Sequence, residues 1–158
     1  KVGMGDFKVG KDNDVLVTYG LGSCVGITIY DPDKKLGGMA HVMLPSSSIA
    51  KSSALVKEGK YADTAIRTMI SSLISAGGDI INFEAKIFGG AKMFSFESER
   101  DSMDIGKRNV IAVKEELVKQ RIPLKAEITG EDYGRTIELE LKSGKVKVVS
   151  INKPVLVV

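Results

Sequence analysis

An α+β layered sandwich, with largely antiparallel or mixed sheets and two main helices, is the fold class this sequence predicts. Three observations carry it. Short segments of alternating polarity follow one another at tight turns, which is the period of half-buried strands. Two well-separated stretches instead repeat their apolar residues at helical spacing. The turns between successive strands are too short for crossover helices, so neighbouring strands run antiparallel and a doubly wound parallel sheet fits poorly.

The elements follow in order. Asp14 to Tyr19, rich in Val and Thr, predicts a strand, and Gly20-Leu21-Gly22-Ser23 a turn. From Cys24 to Tyr30 the chain alternates Val25, Ile27, Ile29 against Gly26, Thr28, Tyr30, a strand pattern. Asp31-Pro32-Asp33-Lys34-Lys35 supplies turn chemistry. Gly38 to Leu44 predicts a third strand, ended by Pro45 and Ser46-Ser47-Ser48. Tyr61 to Ala76 is the clearest helix: Ala62, Ile66, Met69, Ile70, Leu73 and Ile74 share one face, and Gly77-Gly78 stops it. Ile80 to Phe88 predicts a strand running into Gly89-Gly90. Lys107 to Gln120 predicts a second helix, with Pro123 beyond its end. Thr136 to Leu141 and Lys145 to Ile151 flank Ser143-Gly144 as a hairpin. No repeat or long linker interrupts the pattern, so one domain over 1–158 is expected.

Composition removes several functions. Net charge is +3 and no Lys/Arg run exceeds two residues, while aromatics are 6% and Trp is absent. A nucleic-acid surface would concentrate basic residues and interleave aromatics for stacking, so no nucleic-acid partner is expected. One Cys and one His cannot supply a metal site, and no cofactor motif is present. A single Cys excludes an internal disulfide and suits a reducing compartment. No apolar run is long enough to span a bilayer, and Lys1 to Lys11 lacks a signal-like apolar core. A cytoplasmic protein without membrane insertion is expected.

Gly20-Leu21-Gly22-Ser23-Cys24-Val25-Gly26 has the Gly-x-Gly of a dinucleotide loop, but β-branched alternation follows where a helix must begin. The same glycines suit another task. They turn the chain sharply and leave Cys24 with little bulk around it, and backbone N–H groups at Gly22 and Ser23 can face a developing oxyanion. A nucleophilic thiol needs a base, and His41 is the only imidazole. Cys24 precedes the 31–35 turn by seven residues and His41 follows it by six, which brings them roughly opposite on paired strands. Cross-strand neighbours on one face lie about 5 Å apart at Cβ, and a slip of one residue would separate them. Such a pair implies a thiol pKa below the usual range. Composition alone favours a buried structural thiol at Cys24; its placement beside His41 brings the two readings level. The group that would orient the imidazole stays open: Thr18 can bond a ring nitrogen but is equally a surface strand threonine, and Asp31, Asp33 and Asp79 are the carboxylate alternatives. Met93, Phe94 and Phe96 form an apolar cluster that is either core or a partner patch.

Four segments resemble the CheD family of chemoreceptor glutamine deamidases: Gly20-Leu21-Gly22-Ser23-Cys24-Val25, Gly38-Met39-Ala40-His41-Val42-Met43-Leu44-Pro45, Ile87-Phe88-Gly89-Gly90-Ala91-Lys92-Met93-Phe94, and Asp104-Ile105-Gly106-Lys107-Arg108-Asn109. The resemblance runs from about Asp14 to Leu156. It implies a three-layer α/β/β sandwich similar to toxin deamidases of the cytotoxic necrotizing factor type, and a Cys24, His41, Thr18 triad without a cofactor. It implies glutamines on the cytoplasmic helices of methyl-accepting chemotaxis receptors as substrate. It also implies CheC, a response-regulator phosphatase, as a partner that is stimulated and that competes with receptor. Gly89, Gly90, Ala91, Met93, Phe94 and Phe96, with the segment Asp104 to Asn109, are the expected partner surface.

Overall fold

The computed structural model describes residues 1–50, 56–93 and 104–158. Its strands are β1 (Phe7–Lys11), β2 (Val15–Leu21), β3 (Val25–Asp31), β4 (Leu36–Val42), β5 (Glu84–Gly89), β6 (Leu124–Thr129), β7 (Arg135–Glu140), β8 (Val146–Val149) and β9 (Leu156–Val157). Two α-helices, α1 (Ala62–Ser75) and α2 (Ile105–Lys119), complete the frame, with short 3-10 turns at Ser47–Ile49, Glu58–Lys60 and Ile80–Asn82. The strands form a five-stranded sheet in the order β1-β4-β3-β5-β6 and a four-stranded sheet in the order β2-β7-β8-β9.

Strand β3 explains the layering. Every one of its residues is buried, so it must be covered on both faces. Val25, Ile27 and Ile29 join Ile66, Met69 and Leu73 of α1 and Val113 and Leu117 of α2 in one apolar cluster. Tyr30 points the other way and joins Leu21, Met39, Phe88, Ile137, Leu139 and Val146 in a second cluster between the two sheets. Period-two alternation on a strand buried on both sides thus sorts its residues into two cores. The result is the expected α/β/β sandwich. The sheets approach closely at Gly26, where an added Cβ would lie 2.7 Å from Ile137 Cδ1 and 2.8 Å from Leu21 Cδ1.

The predicted β3–β4 hairpin forms, antiparallel from Val25↔Val42 to Asp31↔Leu36. So does the β7–β8 hairpin, and both helices fall within two residues of their expected bounds. Three differences matter. The expected strand from Ile80 begins instead as a 3-10 turn, capped by the Asp79 carboxylate accepting from Ile81 N–H, and only Glu84–Gly89 extends. Strands β1, β6 and β9 were not expected. β6 pairs parallel to β5, the one parallel strand pair among the described residues, and gives the first sheet its mixed character. Finally β2 pairs with β7, not with β3, so Thr18 belongs to the second sheet.

Candidate active site

His41 is fully buried near the end of β4. In the register its partner is Gly26. Extending the ladder by one pair past Val25↔Val42 puts Cys24 level with Met43. Cys24 is therefore not directly opposite His41 but diagonal to it, two residues along. A shift of two keeps both on the same face, and diagonal neighbours remain within reach of longer side chains. The common face is the one turned to the second sheet: Cys24 packs against the inter-sheet cluster, and His41 meets Thr18 of β2 across it.

The Thr18–His41 contact defines the imidazole's protonation. Thr18 Oγ1 lies 2.7 Å from His41 Nδ1 and 2.7 Å from the Val2 carbonyl oxygen. A carbonyl only accepts, so the single hydroxyl proton goes to Val2. Thr18 must then accept from His41, which places the ring proton on Nδ1 and leaves Nε2 as a bare lone pair. Nε2 is buried and has no hydrogen-bond partner among the described residues. That is the form a general base needs. The backbone of His41 is fixed as well: its N–H donates to the Asp6 carbonyl and its carbonyl accepts from Gly5 N–H, at 2.9 and 2.8 Å. Thr18, expected either as orienter or as a surface threonine, is completely buried. The carboxylate alternatives lie elsewhere. Asp31, at the far end of β3, accepts from the N–H groups of Asp33, Lys34 and Asp79 and closes the β3–β4 turn, while Asp33 accepts from Asn82.

Cys24 is a free thiol, half-buried at the last position of the glycine turn. Backbone bonds hold it. Gly90 N–H donates to the Cys24 carbonyl at 2.9 Å, and Ala91 N–H donates to the Gly22 carbonyl at 2.8 Å. Gly89, at φ +102°, could carry no side chain here, because its Cβ would lie 2.3 Å from the Cys24 carbonyl oxygen. Among the described residues, no backbone carbonyl accepts from Ser23 N–H or Cys24 N–H, whereas Gly22 N–H, expected to face an oxyanion, already donates to the Gly20 carbonyl at 3.0 Å, so Cys24 N–H takes its place beside Ser23 N–H. Burial pushes the Cys24 thiol above its ordinary value, with its own backbone N–H pulling weakly the other way. Burial likewise pulls His41 below its ordinary value. Both shifts favour a neutral thiol beside a neutral imidazole. Both directions run against the expectation of a depressed thiol pKa, and burial is the main cause of each.

The expected partner surface also changes. Gly89, Gly90 and Ala91 are buried and form the inner wall that carries the Cys24 turn, so they are not available to a partner. Gly106, at the start of α2, packs directly on this wall; its Cβ would sit 2.6 Å from the Ala91 carbonyl oxygen. Met93 remains 43% exposed, and its Cγ lies 3.0 Å from where a Gly22 Cβ would stand. Phe94 and Phe96 lie outside the described residues. Among the described residues, no three His, Cys, Asp or Glu side chains gather as metal ligands, and no helix is long and apolar enough to cross a membrane.

The family model for CheD chemotactic sensory transduction matches residues 43–150. Relatives extend the similarity across the thiol and the imidazole. A probable chemoreceptor glutamine deamidase CheD of Lachnoclostridium phytofermentans is 47% identical over 98% of this chain and 94% of its own length. The chemoreceptor glutamine deamidase CheD of Bacillus subtilis is 49% identical over 90% of this chain and 86% of its own. A probable one of Pyrococcus horikoshii is 44% identical over 97% and 93%. The chain belongs to the CheD family.

Proposed function

We propose that this chain hydrolyses glutamine side-chain amides of chemoreceptors to glutamate in the cytoplasm, with Cys24 as nucleophile, His41 as base and acid, and Thr18 as the group that orients His41. The names of its relatives support the reaction and substrate. The single observation that carries the residue roles is the Thr18–His41 Nδ1 bond, which leaves Nε2 unpartnered on the face that Cys24 shares.

The reaction runs from a neutral pair. His41 Nε2 takes the Cys24 proton as the sulfur attacks the amide carbon, and Thr18 holds Nδ1–H while the ring is positive. The Ser23 and Cys24 amides donate to the oxyanion. Collapse returns the proton from Nε2 to the departing nitrogen, ammonia leaves, and a thioester remains on Cys24. Water, deprotonated by the same Nε2, attacks the thioester carbon. The thiolate leaves, regains the proton, and glutamate is released. Thr18 is neutral, so it fixes the tautomer without supplying the charge stabilisation of a carboxylate.

The test is ammonia release from a receptor cytoplasmic fragment, with amide-to-acid conversion of individual glutamines followed by mass spectrometry. Cys24→Ala is expected to abolish both while folding is kept. Full activity in that variant overturns the scheme.

CheC as a partner is part of the same proposal, supported by the family resemblance and by the place of Met93. A protein engaging the exposed Met93 side chain sits beside the Gly22–Cys24 turn and excludes substrate from it. Met93→Glu is expected to weaken CheC binding while Cys24→Ala retains it. Unchanged CheC affinity in Met93→Glu would reject that surface.

A further inference from the structure

Asn109 is fully buried in the second turn of α2 and belongs to neither sheet, yet its side chain crosses to the nucleophile turn. Its Nδ2 donates to the Ser23 carbonyl and to the Met43 carbonyl, each at 3.0 Å. We infer that Asn109 is a positioning residue for the deamidation, a one-amide clamp that fixes the Cys24 peptide relative to the strand carrying His41. The inference rests on Cys24 being the nucleophile.

The clamp sits where the sheet stops providing one. The β3–β4 ladder ends at Val25↔Val42. One pair further, Met43 sends its N–H away to the Lys60 carbonyl. Beyond that point the two hydrogens of a single NH2 group take the place of a ladder rung, one on each chain. The amide has one sensible orientation. Turned over, its oxygen would face two carbonyl oxygens, so the NH2 group faces them and Oδ1 is left buried without a partner among the described residues. A buried unpartnered acceptor loses its bond to water without regaining one. The arrangement therefore gives up stability for the two carbonyl contacts.

Those contacts govern geometry at the reacting atoms. A trans peptide is planar, and its C=O and N–H point in opposite directions. Holding the Ser23 carbonyl toward α2 therefore aims the Cys24 N–H away from α2. That N–H is one of the two assigned to the oxyanion, and no backbone carbonyl among the described residues competes for it. Holding Met43 keeps the end of β4, two residues past His41, in step with the turn. Gly106, one turn earlier, brings α2 close enough for this reach by packing on the Gly90 and Ala91 carbonyls at 2.7 and 2.6 Å from an added Cβ.

Asn109→Asp keeps the shape and replaces the double donor with oxygen. Asn109→Ser keeps one donor in a smaller side chain and is the variant to rely on if Asn109→Asp does not fold. Both are compared with Cys24→Ala on a receptor fragment, measuring kcat and KM separately and, in parallel, Cys24 alkylation by iodoacetamide, which needs an accessible thiol but no oxyanion donor. Expected is a kcat lowered about 100-fold in Asn109→Asp and about tenfold in Asn109→Ser, because a misplaced reacting group costs rate more than binding. KM and the alkylation rate stay near wild type. Wild-type kcat in folded Asn109→Ser, with Cys24→Ala inactive, overturns the positioning role alone. So does a kcat loss matched by alkylation rising to the rate of the denatured chain, which would make Asn109 a structural residue only. Full activity in Cys24→Ala overturns the nucleophile reading, and this inference with it.

Discussion

The two halves of the proposed site are built in opposite ways. His41 and Thr18 are fully buried, come from different sheets, and are fixed by side-chain bonds inside the inter-sheet core. Cys24 is half-buried and lies on a turn held by its main chain, whose carbonyls accept from Gly90 N–H, Ala91 N–H and the Asn109 side chain. A base must keep one tautomer, which takes a side-chain partner shielded from water. A nucleophile must meet a macromolecule, which takes exposure, and its rigidity must then come from the main chain behind it. The contrast predicts that changes on the imidazole side alter chemistry, whereas changes on the turn side alter chemistry only if they displace main chain.

The largest break in that contrast after loss of the thiol itself is His41→Ala. Removing a positioned general base costs about 10²–10⁴-fold, so kcat/KM for receptor deamidation is expected to fall by that range. In the proposed mechanism the working form is neutral imidazole, and burial pulls the His41 pKa below its ordinary value. Activity is therefore held across neutral pH and lost only as pH falls below about 6.5, the unperturbed histidine value. Stability has the same sign: the unfolded chain binds the proton more readily than buried His41 does, so the His41 contribution is present above that pH and is lost on acidification. The alkylation curve sharpens the point. With the thiol raised by burial, its alkaline rise lies above the ordinary cysteine range in wild type and does not move upward in His41→Ala. An upward move would reveal an ion pair and reject the neutral resting state.

Thr18→Val comes next. It keeps the volume but leaves His41 Nδ1–H without an acceptor, and the proton can then sit on Nε2, where it blocks the base. Loss of a group that fixes a working imidazole costs about 10–100-fold by analogy with imidazoles that bind metals. The expected signature is a lower kcat with KM unchanged, restored in Thr18→Ser. Equal activity in Thr18→Val and wild type would mean that Nδ1 needs no partner.

Much of the fold was legible because β3 and both helices carry strong periodicity, and the β3–β4 and β7–β8 turns carry turn residues. Strands β1, β6 and β9 were not. β6 reads Leu-Lys-Ala-Glu-Ile-Thr at the edge of its sheet with no residue fully buried, so its alternation marks no core face. At the site, period-two reasoning placed Cys24 and His41 on one face but missed the register by two residues, because Asp31 is the last residue of its strand and pairs with Leu36, so the turn that sets the register is 32–35 and not 31–35. The burial of Thr18 was invisible for a different reason. It depends on two sheets stacking, and β2 finds its partner β7 more than a hundred residues away in sequence. The 89–91 segment misled because two glycines and an alanine look the same in an exposed loop as in a wall that needs close backbone approach; only the contact with the Cys24 carbonyl separates them.

That last distinction supplies the smallest and most discriminating test. Gly22 and Gly89 both border Cys24, yet an added methyl meets different things. At Gly89 it strikes the Cys24 carbonyl oxygen, which is main chain, and φ is positive. At Gly22 it meets Met93 Cγ at 3.0 Å, part of a flexible, half-exposed side chain. Met93 can move aside, so Gly22→Ala is expected to change stability by no more than about 0.5 kcal/mol, the usual range for surface substitutions, and to leave kcat close to wild type. Gly89→Ala is expected to lower both the melting temperature and kcat, since the wall and the nucleophile's peptide cannot both stay in place. If Gly22→Ala proved as damaging as Gly89→Ala, and Met93→Ala did not relieve it, the turn itself would be intolerant of any side chain. The rigidity of Cys24 would then reside in the Gly20–Ser23 loop rather than in the wall behind it.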